Sequence, residues 1–88
     1  MTENSLNPAS WVDKYADYLF NYAVVRVSDA EIAKDLVQET FLAALKSAKN
    51  YQGAASERTW LIAILKRKVI DYYRKINSKK GTLDLHRF

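Results

Sequence analysis

The chain has 88 residues, 14 Lys and Arg against 10 Asp and Glu for a net charge of +4, one histidine and no cysteine. It therefore holds one domain at most and lacks the parts for a disulfide framework, a Cys/His zinc site or a Ser-His or Cys-His nucleophile pair. No stretch approaches the ~18 uncharged apolar residues of a membrane span, and the N-terminus, with Glu3 and Asn4 and no basic start, has no secretory pattern, so the expectation is a soluble cytoplasmic protein with no catalysis and no cofactor.

Pro8, Gly53 and Gly81 are the only Pro and Gly residues and fall near the edges of periodic segments. Between them the sequence predicts an all-α fold: a compact three-helix bundle over residues 10–76, preceded by a tail (1–9) and followed by a flexible tail (77–88). The first helix is expected to start near Pro8 to Ser10, capped by Asn7 or Ser10, and to end at Ser28, burying Val12, Tyr15, Ala16, Leu19, Phe20 and Ala23. Asp29 is the expected cap of the second helix, with Ile32, Leu36, Val37, Thr40, Phe41, Ala44, Leu45 and Ala48 on its inner side. A loop with room for one short helical turn spans 50–56. Ser56 then caps a third helix running to about Lys75, with Leu61, Ile62, Leu65, Val69, Tyr72 and Ile76 inward.

Charge is divided along the chain. Residues 66–88 carry eight of the fourteen cations (Lys66, Arg67, Lys68, Arg74, Lys75, Lys79, Lys80, Arg87) against Asp71 and Asp84, giving +6 there and −2 over residues 1–65. On the second helix, Glu31, Asp35, Gln38, Glu39, Leu42, Lys46 and Lys49 fall in one outward arc. Its acids repeat at i, i+4 with no base four places on, a like-charge pattern costing about 0.2–0.5 kcal/mol per pair that a basic partner would relieve; the plain alternative is a solvated face. On the third helix, Trp60, Arg67 and Arg74 recur at seven-residue steps. Cations interleaved with Trp60, Tyr73 and Tyr51 suit single-stranded nucleic acid, where rings stack on bases. Against that, Trp60 and Tyr72 fit a core, Arg74 can pair with Asp71, Lys79 and Lys80 fit a solvated tail, and His86 is incidental. The loop is small and polar, so its backbone can approach a ligand closely.

The ordered series Asp29-Ala30-Glu31, Asp35-Leu36-Val37-Gln38-Glu39-Thr40-Phe41, Tyr51-Gln52-Gly53, Thr59-Trp60-Leu61, Ile64 and Ile70-Asp71-Tyr72-Tyr73-Arg74-Lys75 resembles region 2 of extracytoplasmic-function sigma factors. These are bacterial transcription initiation factors of the sigma-70 class, and the similarity covers roughly Trp11 to Lys75. The resemblance implies that Asp35, Gln38, Glu39 and Leu42 contact the clamp helices of the largest subunit of core RNA polymerase. It further implies that Tyr51, Gln52, Gly53, Ala54, Ala55 and Ser56 form a pocket for a flipped base of the minus-ten promoter element, with Arg58, Arg67, Arg74 and Lys75 on adjacent DNA. An anti-sigma factor is a further partner of the family, and residues 77–88 read as a linker toward a region 4 domain.

The chain departs from the family in having Arg67 where many members have Asn, and Ala54 and Glu57 where a polar or charged residue and an aromatic are common. Glu57 is expected to repel phosphate mildly. Two rival readings remain at this point: a helix-turn-helix reader of duplex DNA, with the third helix in the major groove, and a basic amphipathic helix on anionic lipid.

Overall fold

The computed structural model describes residues 6–85 and, within them, the side chains up to Ser78. Three helices carry the fold: α1 (Trp11–Val27), α2 (Ala30–Ser47) and α3 (Glu57–Leu85). Short 3₁₀ turns at Pro8–Ser10 and Ala48–Asn50 precede α1 and follow α2, the latter one step ahead of the loop where an extra turn was expected.

Local chemistry explains the boundaries. Neither Asn7 nor Ser10 caps α1 with its side chain; Pro8 instead presets a 3₁₀ turn closed by the Ser10 N–H on the Asn7 carbonyl at 3.0 Å. The chain leaves α1 through Ser28 in the left-handed region (φ 57°), its N–H bonded to the Val24 carbonyl at 2.9 Å. One residue later the Asp29 carboxylate accepts the N–H groups of Glu31 and Ile32 at 2.9 and 3.1 Å, capping α2 as expected. Ser56 Oγ accepts the Thr59 N–H at 3.1 Å and does the same for α3. That helix continues past Ile76 to Leu85, beyond the boundary near Lys75, because no proline interrupts it and a lone Gly81 is tolerated within a helix.

The core is shared by all three helices: Trp11, Leu19, Ala23 and Val27 from α1; Ala33, Leu36, Val37, Thr40 and Ala44 from α2; Leu61, Ile62, Leu65 and Val69 from α3. Buried Thr40 turns its hydroxyl onto the Leu36 carbonyl at 2.8 Å, which removes the penalty of an unpaired polar group. Two predicted core positions are corrected. Val12 is 61% exposed while Trp11 beside it is 2% exposed, and Leu45 is 52% exposed while Ala44 is fully buried. In both cases the wheel is turned by one position, because the true inner stripe of each helix is set by the neighbour it meets and not by its own periodicity.

Contacts between α1 and α3 show that the two run in the same direction. Trp11 and Tyr15 meet Glu57 at their N-terminal ends, and the Tyr73 hydroxyl donates to the Arg26 carbonyl toward the other. The result is a parallel pair fastened at the start of both helices and again where the end of α1 meets Tyr73, partway along the longer α3, with α2 packed against each of them.

Candidate functional site

Asp35, Gln38, Glu39 and Leu42 are all exposed on α2, Leu42 by 58%. Glu31 has a loose partner that the i, i+4 pattern missed: Lys34, three residues on, at 4.0 Å, with both side chains well exposed. That is the one ion pair among the described residues. Glu39 and Lys68 line the same concavities between α2 and α3, so the acid strip borders on a cation across the groove without pairing to it.

Arg67, Arg74 and Lys75 are exposed on α3, and the Arg74–Asp71 pair does not form. Asp71 turns instead toward the α2 side, lining a groove with Leu36, Glu39, Lys68, Tyr72 and Lys75, so Lys75 stands on the side of Glu39 and apart from the two arginines. The arginines are thus free of internal ion pairs among the described residues. Arg58 is also exposed, its guanidinium 5.2 Å from the centre of the Tyr18 ring. The readings of Lys79, Lys80 and His86 lie outside the described side chains.

The loop encloses a shallow concavity of about 210 Å³ lined by Asn50, Tyr51, Gln52, Ala54, Ala55 and Trp60. Four of the six residues predicted for a pocket therefore line one. Gly53 supplies the positive φ of 77° that the turn requires, and Ser56 is engaged in capping. Asn50 and Trp60 are lining residues outside the predicted set. Tyr51 is not a free ring: it packs against Trp60 with centroids 5.0 Å apart, and its hydroxyl donates to the Ala55 carbonyl. Trp60 in turn lies 6.1 Å from Trp11, which stacks on Phe41 at 6.2 Å, so the pocket wall is the outer end of an aromatic row reaching into the core.

Glu57 behaves contrary to expectation. Its Oε2 accepts the Asn7 N–H at 2.6 Å and the Trp11 Nε1–H at 2.8 Å, and its Oε1 accepts the Tyr15 hydroxyl at 3.2 Å. It is a bracket joining the start of α1 to the start of α3, with its charge turned toward these donors. Partial burial pushes the carboxyl up, but the three donors and the charge of Lys14 outweigh it and hold Glu57 below its ordinary value. Burial, followed by the Glu57 charge and hydrogen bond, raises the Tyr15 phenol.

A lowered carboxyl in the folded state binds protons less readily than in the unfolded state. The stability Glu57 contributes is therefore whole above the ordinary value of 4.5 and is lost as pH falls from there through the folded-state value. A Glu57→Gln variant, which cannot titrate here, is expected to lose less stability than wild type between about pH 6 and about pH 3, measured by urea unfolding. Parallel acid limbs for the two proteins would contradict this.

Among the described residues no helix is long and apolar enough to cross a membrane, and no group of three or more His, Cys, Asp or Glu could hold a metal. Residues 11–79 match sigma-70 region 2, and the chain belongs to that family, which is one of non-catalytic transcription initiation factors. It is 44% identical over 57 residues to a probable RNA polymerase sigma factor of Haemophilus influenzae, a match covering 65% of this chain and 29% of that protein. Two Bacillus subtilis proteins are also similar. The ECF RNA polymerase sigma factor SigX is 35% identical over 63 residues (72% of this chain, 32% of the relative), and the RNA polymerase sigma factor YlaC is 39% identical over 62 residues (70% and 36%). The chain thus spans about a third of the length of the curated relatives it matches. No solved structure gives a significant match.

Proposed function

We propose that this chain is the part of a bacterial sigma factor that anchors on core RNA polymerase through α2 and holds the unpaired non-template strand of the minus-ten element with the 51–56 loop and α3. The observation that carries this reading is the separation of two unneutralised faces, Asp35, Gln38, Glu39 and Leu42 on one helix and Arg67 and Arg74 on another. The names of the similar proteins, all RNA polymerase sigma factors, support the same assignment.

The acid strip combines charge with the apolar Leu42 side chain. Charge would speed and orient encounter with a basic surface, and Leu42 would be covered on docking. The loop concavity, with Tyr51 and Trp60 in its wall and backbone close at hand, suits one planar base better than a folded ligand. Capturing a base there offsets the few kcal/mol lost when it leaves the duplex stack. Arg58, Arg67, Arg74 and Lys75 would follow the adjoining phosphates, making affinity steeply salt-dependent. An anti-sigma protein would act by covering either face, and the work would take place in the cytoplasm.

Fluorescence anisotropy with a single-stranded minus-ten oligonucleotide tests the DNA half. Tyr51→Ala is expected to weaken binding roughly tenfold, and Arg67→Ala to weaken it and lower the slope against log salt by about 0.7. Wild-type affinity in both variants would discard the loop and helix assignment. Tighter binding to duplex than to single strand would select the helix-turn-helix reading.

A further inference from the structure

Along the seam between α1 and α3, on the side away from α2, lies a row of rings and cations in which Tyr22 packs against the edge of the core and the others stand outside it. Tyr18, Ile70 and Tyr73 are exposed by 42%, 52% and 39%. The Arg58 guanidinium lies 5.2 Å from the Tyr18 ring, and that of Arg26 lies 3.5 Å from the Tyr22 ring while bonding the Tyr22 carbonyl at 3.1 Å. The Tyr73 hydroxyl, donating to the Arg26 carbonyl, fixes the far end. We infer that this seam, from Tyr18 and Arg58 to Tyr22, Arg26 and Tyr73, is a second stacking track for unpaired nucleic acid, continuing the strand's path beyond the loop pocket.

Charge is the first argument. Among the described side chains the aspartates of the two flanking helices are directed elsewhere: Asp17 lines the groove between α1 and α2, with Asp13 one turn before it on the same side, and Asp71 lines the groove between α2 and α3; Glu57, at the head of the seam, has its charge taken up by Asn7, Trp11 and Tyr15. The seam is left with arginines, the sign that a phosphate chain requires. Spacing is the second. Residues 18 and 22 are one helical turn apart, about 6 Å along the axis, wider than the ~3.4 Å rise per nucleotide of a duplex strand. Two such rings accept bases of an extended strand and do not match duplex stacking. Continuity is the third. Arg58 stands two residues after Ser56 at the end of the loop, and Ile70 lies between the seam and the Arg67–Arg74 stripe on the same helix. A row of Tyr and Arg also resembles the centre of a protein interface, so the test must separate the two.

The inference rests on the proposed single-strand reading, and the experiment distinguishes their failures. Anisotropy is measured for the 88-residue chain with a minus-ten strand of about six nucleotides and with the same strand lengthened at either end to about twelve. Tyr18→Ala is expected to bind one of the longer strands roughly tenfold more weakly and the short strand as wild type does, with Tyr18→Phe restoring the loss. Arg26→Gln is expected to lower the salt slope on that longer strand by about 0.7, a change that a purely structural role would not produce. Thermal melts confirm that each variant folds, and Arg26→Gln carries the test if Tyr18→Ala does not. If both variants match wild type at every length while Tyr51→Ala is impaired, the seam is overturned and the pocket stands. Loss of polymerase capture with unchanged strand binding also overturns it, giving the seam to a protein partner. A wild-type chain that binds none of the strands removes both.

Discussion

Capture of core RNA polymerase by the chain is expected to fall at least about a hundredfold on Glu39→Arg, since placing like charges opposite one another at an interface costs several kcal/mol. The fold should not suffer. Glu39 is exposed, makes no ion pair among the described residues, and stands four residues after Asp35, so an arginine there gains an attractive helical neighbour worth about 0.2–0.5 kcal/mol and faces Lys68 across the groove, a surface like-charge pair of similarly small size. The thermal midpoint is expected to stay within about 4 °C of wild type. The comparison is a pull-down at two salt concentrations with the melting curve alongside. Unchanged retention of polymerase would remove α2 as the docking face, and an unchanged melting curve would assign a loss to the interface and not to unfolding.

Trp11→Ala is expected to have the largest effect on stability. The side chain is 2% exposed, stacks on Phe41, meets Trp60 at a tilt of 58°, and donates to Glu57 at 2.8 Å. Truncation removes a full aromatic volume, for which about 3–5 kcal/mol is typical, and takes from the Glu57 carboxylate one of its three donors. In a domain of this size, that corresponds to a midpoint lowered by at least about 12 °C. Trp11→Phe keeps most of the packing and loses the N–H, so about 1–2 kcal/mol is expected. Denaturant unfolding of the two variants separates the terms. A Trp11→Ala protein within about 1 kcal/mol of wild type would contradict the placement of this ring in the core. Because Trp60 is also a wall of the loop concavity, the same truncation should loosen Tyr51 and weaken strand binding in whatever fraction of the protein remains folded.

Much of this was legible in the sequence where the determinants are local. Asp29 and Ser56 cap the helices they were expected to cap, because a carboxylate or hydroxyl needs only the next three backbone amides. The outward arc of α2 follows from helical period alone, and Asp35, Gln38, Glu39 and Leu42 are all exposed. What periodicity could not decide was the phase at a helix end: Trp11 and Val12 are both apolar neighbours at the first position of α1, and only the arrival of Phe41, Glu57 and Trp60 selects between them. Glu57 is the clearest case. Its donors lie 42, 46 and 50 residues away, so no spacing rule could reveal that its charge is engaged internally. The seam was legible only in part: Arg26 over Tyr22 is an i, i+4 pair within α1, whereas Arg58 reaches Tyr18 and Tyr73 reaches Arg26 only when α1 and α3 align.

That alignment has a mechanical corollary. The helix bearing Glu39 and the helix bearing Arg67 and Arg74 share one buried cluster that includes Leu36, Leu65 and Val69, and α1 is tied to α3 at Glu57 and again at Tyr73. A pull on α3 near Arg67 is therefore felt by whatever grips α2 through close-packed side chains, so over this stretch the domain acts more as a solid coupling than as a spring.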